Sequence, residues 1–390
     1  MKVKSITINE IGGIKDLTID FNDHMNFICG PNGVGKTTVL ECVAHSFSVH
    51  RTNLLKRNVL ASSGSFQSTI EIDGSDRTSN VIIQDFAPEK ESLVNGLYQY
   101  SKNLLSLKVT RTFQYQQLAA VSKDKEKKDH QLHQETKSGV DISEVKNWFV
   151  NRYLYSAHEG TLTEQQQHNL ELAKTCFSLL NSEFSFSRVM ASSNEIMVNT
   201  PSGEIYYEYL SSGFKSCLSI LFGIIKDVEF RFKNPCINAD DFDGIVLVDE
   251  LELHLHPKWQ SKIAKILTQV FPLVQFITAT HSPHIIQNAN PTEIIALAND
   301  QGSVYRRTID SGAYGFKGWT IEEVLTDVMG MSDTRTDIYR EKLAEFESAI
   351  TEDNFQLAEE AYNNLDILLH PDNHLRKLLR LELASIKEVG

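Results

Sequence analysis

Nine consecutive residues constrain this chain more than any other feature: Gly30-Pro31-Asn32-Gly33-Val34-Gly35-Lys36-Thr37-Thr38. They spell G-x-x-x-x-G-K-T and stand directly after Met25-Asn26-Phe27-Ile28-Cys29, an apolar run with the composition of a buried strand. Helical spacing follows from Lys36 to about Ser48. Strand, glycine-rich turn and helix in that order make a cradle whose backbone N–H groups point inward, with the helix N-terminus adding positive dipole. A triphosphate fits such a cradle. Lys36 would reach the β and γ phosphates and the Thr37 hydroxyl would ligate Mg²⁺, with Asn32, Gly33, Gly35 and Thr38 as further phosphate-binding candidates.

Two more strand ends carry chemistry-bearing residues. Val246-Leu247-Val248 is an apolar run that ends in Asp249-Glu250, and ligands of parallel sheets sit at the carboxyl ends of strands. Asp249 is the candidate Mg²⁺ ligand, and Glu250, differently oriented, the candidate that orients attacking water. One strand later, Gln275 to Thr280 leads into His281, placed to sense the γ phosphate. The catalytic set is thus Lys36, Glu250 and His281, with ATP and Mg²⁺ as cofactors. His254 and His256 alternate with leucine and lack an evident third ligand, so they read as packing rather than as a metal site.

The rest of the chain must supply a core for this site. Its 390 residues suggest two or three lobes, and 41% hydrophobic with 23% charged residues is ordinary for a folded protein. The formal net charge of −13 repels nucleic acid and acidic lipid, so either contact would need a local basic patch. Five scattered cysteines without C-x-x-C argue against disulfides or structural zinc. No run approaches a membrane span or signal peptide, and a cytoplasmic location is expected.

Organisation follows from periodicity. Two alternating strands joined at Gly12-Gly13 precede the P-loop strand, and an antiparallel edge follows around Ser68–Ile72 and Val81–Ile83. The polar stretch from about Ser122 to Ser138 reads as a solvated loop or frayed helix end, Ile142 to about Leu180 as helix, and Glu195 to Val198 with Glu204 to Tyr207 as a strand-rich piece before an apolar helix from Gly213 to about Phe230. The expected fold is α/β, a mixed sheet with a helical lobe, about 139–215, inserted in a head spanning 1–318, and a helical appendix over 319–390.

Together these motifs resemble the ABC-class ATPase heads of the SMC/RecF type. Leu210-Ser211-Ser212-Gly213-Phe214-Lys215-Ser216 is similar to the L-S-x-G-x-x-S signature of that family, although Phe214 replaces the usual Glu or Gln. The resemblance implies that Ser211 and Gly213 of one copy cap the triphosphate held by another, so that ATP joins a homodimer or higher homo-oligomer. It also implies a glutamine near Mg²⁺, either Gln84 or Gln114, and an interfacial loop in Leu251-Glu252-Leu253-His254-Leu255-His256-Pro257. Trp148-Phe149 with Arg152 and the tail from Val324 extend the likeness to the stand-alone RecF-like ATPases of bacterial defence, such as those of Septu, retron and PARIS systems. These act with a separate nuclease or toxin effector, and no nuclease constellation follows His281 here. The alternative within the class is a RecF-like DNA-repair clamp, with Arg51, Lys56, Arg57, the basic stretch Lys123 to Lys128, Arg376, Lys377 and Arg380 as candidate contacts to duplex DNA.

Overall fold

A computed structural model of the chain describes residues 1–109, 117–124, 127–300, 302–331 and 335–387. The first part of the chain is strand-rich: β1 (Lys2–Ile11), β2 (Ile14–Asp20) and β3 (Met25–Cys29), then α1 (Lys36–His45). β4 (Val49–Thr52), β5 (Gly64–Ile72), β6 (Ser75–Ile83), β7 (Ser92–Asn95) and β8 (Leu104–Leu107) follow. The inserted region holds α2 (Asp129–Ser138), α3 (Val145–Ser156), α4 (Glu164–Leu180), β9 (Ser185–Met190), β10 (Glu195–Thr200), β11 (Gly203–Tyr206) and the long α5 (Ser212–Arg231). The chain then returns through β12 (Ile245–Val248), α6 (Pro257–Val270), β13 (Gln275–Ala279), α7 (Pro283–Asn288), β14 (Ile294–Asp300) and β15 (Ser303–Arg306).

The central sheet runs β15-β14-β3-β13-β12-β8, parallel throughout except for the antiparallel edge strand β15. Both of its faces are buried, which is why these strands read as unbroken apolar runs. Alternate residues serve alternate cores: Ile245 and Leu247 of β12 pack with α1 and the antiparallel sheet β2-β1-β5-β6. Val246 and Val248 pack on the opposite side with α3, α4 and α5. Each fully buried Val, Leu, Ile or Phe contributes about 1.5–3 kcal/mol, and α5 is buried along almost its whole length from Gly213 to Arg231. This sheet order sets the carboxyl ends of β3, β13 and β12 side by side, and those ends lead to the P-loop, His281 and Asp249.

Two expectations need correcting. The stretch from Ser122 to Ser138 is not simply solvated, because α2 begins at Asp129 and buries Leu132 and Thr136. Its charges find partners: Lys127 pairs with Glu135 at 2.8 Å and with the buried Asp227, and Arg231 pairs with Glu135 at 2.6 Å. The region Ile142 to Leu180 is two helices rather than one, broken after Ser156. Before α5, at the strand-rich pieces around 195–198 and 204–207, β9, β10 and β11 form an antiparallel meander.

The first compact unit is Met1–Met331 and the second Ser332–Gly390. The division falls later than a boundary at 319, because the short helix α8 (Ile321–Glu323) and its π-helical continuation Val324–Val328 give Val324, Val328 and Met329 to the first unit's core. The second unit is built of α9 (Asp337–Thr351), α10 (Phe355–Leu368) and α11 (Leu375–Lys387), around Phe346, Ala358, Ala361, Leu365 and Leu379. Among the described residues no helix is long and apolar enough to cross a membrane.

Candidate functional site

The P-loop occupies the turn between β3 and α1. Gly35 is the N-cap of α1 at φ +99°, a left-handed conformation that side chains disfavour, and a Cβ there would stand 3.0 Å from Ile14 Cδ1. The Lys36 ammonium lies across the loop and donates to the carbonyl oxygens of Gly30 and Pro31, both at 2.9 Å. Burial pushes its pKa down, with Glu252, Asp249 and Glu250 pulling the other way. An anionic phosphate entering the cradle would favour the charged form further. Asn32, Gly33 and Thr37 are exposed in the loop and first turn, and Thr38 is half-buried beside the Gly12 turn.

Asp249 and Glu250 lie immediately beyond β12. Thr37 Oγ1 donates to the Asp249 carboxylate, 3.2 Å from one oxygen and 3.3 Å from the other, although the two residues are 212 positions apart. A hydroxyl and a carboxylate in contact are hard oxygen donors of the kind Mg²⁺ takes, so the residues present fit the ion expected of this motif. Glu250 adopts φ +49°, an uncommon conformation for a residue with a side chain and one that collects at functional sites. His281 follows β13; burial and the nearby Lys36 push its pKa down, and Glu252, Glu250 and Asp249 oppose this. Four charged groups from the ends of β3 and β12 therefore act on the one imidazole at the end of β13.

The signature segment belongs to a different part of the chain. Ser211 is the N-cap of α5, its Oγ accepting from Phe214 N at 3.3 Å and its carbonyl from Lys215 N at 3.0 Å. Among the described residues, these bonds stay within α5 and none reaches the P-loop. Gly213 is needed for close approach: a Cβ would lie 3.0 Å from Trp259 Cδ1 and 3.3 Å from the backbone nitrogen of His256. Phe214, the departure from the usual Glu or Gln, is buried against Trp259 and Phe184 with ring centroids 5.4 and 5.2 Å away. The position has become a core anchor. Trp148 Nε1 and Arg152 Nε both donate to Glu229 Oε1, at 3.2 and 2.6 Å, and so bind α3 to α5.

Among the described residues no group of three or more His, Cys, Asp or Glu is placed to hold a metal ion. His256 caps α6 through Nδ1, which accepts from Lys258 N at 3.3 Å. Gln84 is exposed at the end of β6, the edge strand of the antiparallel sheet, and Gln114 lies outside the described residues. Sequence reasoning missed Glu252 as part of the site. The sequence placed it only in an interfacial loop, and its partners Thr280 and His281 are close only in space.

The AAA-domain family described as putative AbiEii toxin, type IV TA system, matches residues 25–287. A Septu protein PtuA of Bacillus thuringiensis is 43% identical over 398 residues, covering 99% of this chain and 99% of the relative. A retron Ec83 probable ATPase of Escherichia coli is 27% identical over 239 residues, 60% of this chain and 41% of the relative. Among solved structures, an SMC head domain from Thermotoga maritima matches with a TM-score of 0.49 and 15% identity, over 80% of this chain and 100% of that one.

Proposed function

Because the chain belongs to the AAA-domain family just described and to the Septu PtuA proteins, we propose that it binds and hydrolyses ATP between two copies of itself. The nucleotide state then switches a separate nuclease or toxin effector in anti-phage defence. The observation that carries this reading is Ser211. Lys36, Asp249, Glu250 and His281 gather at neighbouring strand ends of one chain, whereas Ser211 spends its hydrogen bonds inside its own helix and exposes the helix start. A 20-residue helix with an exposed N-terminus offers backbone N–H groups to an anion presented by a second copy.

In the proposed reaction Lys36 leaves the loop carbonyls for the β and γ phosphates and neutralises charge there. Thr37 and Asp249 would hold Mg²⁺, which supplies Lewis-acid stabilisation of the phosphate oxygens. Glu250 accepts a hydrogen bond from the attacking water and directs it in line with the γ phosphate. His281 hydrogen-bonds the γ phosphate and reports its departure. The second copy's Ser211 and helix dipole complete the pocket, so that hydrolysis loosens the pair and frees the effector.

The DNA-clamp alternative draws less support. Arg57 spends its guanidinium on the carbonyls of Gln84, Asn58 and Ala61, Lys56 on Ala87 and Lys90, and Arg376 on Asp366. These side chains have intramolecular partners that a phosphate would have to displace.

Trans-complementation tests the reading. Lys36→Ala should not bind ATP, and Ser211→Arg should bind it without turnover. Mixing the two in equal amounts rebuilds one intact pocket per mixed pair, giving back about a quarter of wild-type hydrolysis by random pairing. Glu250→Gln should retain ATP and lose roughly 10²–10³-fold in turnover. A mixture as inert as its components, or normal turnover in Glu250→Gln, would refute the proposal.

A further inference from the structure

We infer that Glu252 is a positioning residue that sets His281 for its work at the γ phosphate, an assignment that rests on the ATPase reading above. Glu252 lies in the loop between β12 and α6, two residues past Glu250. Its carboxylate oxygens hold two different groups: Oε2 accepts from the Thr280 hydroxyl at 2.6 Å, and Oε1 accepts from the backbone N–H of His281. Hydrogen bonds to an ionised acceptor are short and about twice as strong as neutral ones. Two from one carboxylate fix both the position and the direction of the turn that carries the imidazole.

The surrounding bonds close a ring. The Thr280 oxygen accepts from Ser282 N at 3.0 Å, and the Ser282 hydroxyl donates to Gln260 Oε1 at 2.6 Å. Gln260 Nε2 returns to the Leu255 carbonyl at 2.7 Å, in the same loop as Glu252. The loop is also pinned from its other side, where Ser216 Oγ of α5 donates to the Leu253 carbonyl at 3.2 Å. On one flank β3 holds Thr280, whose N–H donates to the Ile28 carbonyl at 3.0 Å. Past that bond, the Glu252 carboxylate is the charged group that hydrogen-bonds the backbone of exposed His281. Misplacement of a reacting or sensing group by about 1 Å can cost on the order of 10²-fold in rate. Glutamine at 252 keeps the shape but removes the charge and one acceptor oxygen, so the Thr280 hydroxyl must reverse its bond and accept from the amide while the charge-assisted hold on the His281 N–H is lost.

The test is a double-variant cycle on the full chain. Steady-state ATP hydrolysis and thermal melting are measured for wild type, Glu252→Gln, His281→Ala and the double variant. Glu252→Gln should lower kcat about tenfold or more while KM for ATP stays within about twofold. The double variant should be no more than about twofold slower than His281→Ala, because a misplaced group that has been removed costs nothing further. Should Glu252→Gln fail to fold, Thr280→Val with and without His281→Ala carries the same comparison. Losses that multiply, a kcat near wild type in Glu252→Gln, or normal turnover in His281→Ala would each overturn the assignment. All three outcomes would leave the ATPase reading standing on Lys36 and Glu250, whereas a wild-type chain without ATP turnover would overturn both.

Discussion

Replacing Arg152 with alanine would remove the counter-charge of a carboxylate that water does not reach. The Glu229 side chain is 1% exposed and that of Arg152 3%. Arg152 Nε donates to Glu229 at 2.6 Å, while the neutral donors Trp148 Nε1 and Asn169 Nδ2 each contribute a bond at 3.2 Å. Deleting one member of a buried pair costs about 3–5 kcal/mol, because the remaining charge is stranded. Two neutral donors survive here, and Asp124, the second partner of Arg152, is 24% exposed and can rehydrate. The loss should therefore fall near the lower end, about 3 kcal/mol at neutral pH.

The pH dependence gives this prediction its sign. Burial raises the Glu229 pKa above its ordinary 4.5 even against the pull of Arg152, and losing Arg152 raises it further. A carboxyl whose folded pKa exceeds its unfolded value contributes stability below the unfolded pKa and loses it as pH rises through the folded one. The deficit of Arg152→Ala relative to wild type should thus be smallest below 4.5 and grow toward neutrality. Urea unfolding followed by tryptophan fluorescence measures it directly, since Trp148 touches the same carboxylate. A deficit under about 1 kcal/mol at neutral pH, or one that grows on acidification, would refute the reasoning. The consequence reaches the proposed function because Glu229 anchors the helix that begins at Ser211.

Gly35→Ala forces a side chain into a left-handed conformation against Ile14 and should cost about 1–2 kcal/mol, with weaker ATP binding by titration calorimetry; an unchanged melting temperature and affinity would argue against the cradle geometry. His45 is buried, its Nδ1 facing the Glu41 carbonyl at 2.7 Å and its Nε2 the Thr52 hydroxyl at 2.8 Å, and burial pushes its pKa down to about 4. Its stabilising contribution is complete above the unfolded value of 6.5 and is lost as pH falls through about 4, with a slope of up to about 1.4 kcal/mol per pH unit. Unfolding curves for wild type and His45→Gln that stay parallel across that window would refute it.

What the sequence determined by itself was local. The P-loop is contiguous, and its glycines, lysine and threonines dictate a strand-turn-helix cradle whatever surrounds them. The buried strands β3, β12 and β13 were legible because a sheet covered on both faces demands apolar residues at every position, and the acids and histidine that end such runs stand out. The signature was readable as a motif too, but its bonding was not: Ser211 turned out to cap its own helix, and Phe214 to be a core anchor rather than an eccentric substitution.

Tertiary structure decided everything that depends on distant partners. Polar content could not show that α2 would be stable, because its Glu135 and the preceding Lys127 are paired with Arg231 and Asp227, about a hundred positions away. The end of the first unit moved past 319 because Val324, Val328 and Met329 find a core that no local pattern announces. Glu252 shows the principle most directly. A carboxylate is an acceptor wherever it stands, but only the pairing of β12 with β13 puts Thr280 and His281 within reach of it. Local chemistry is written in consecutive residues, whereas the geometry of a site is set by which strands become neighbours.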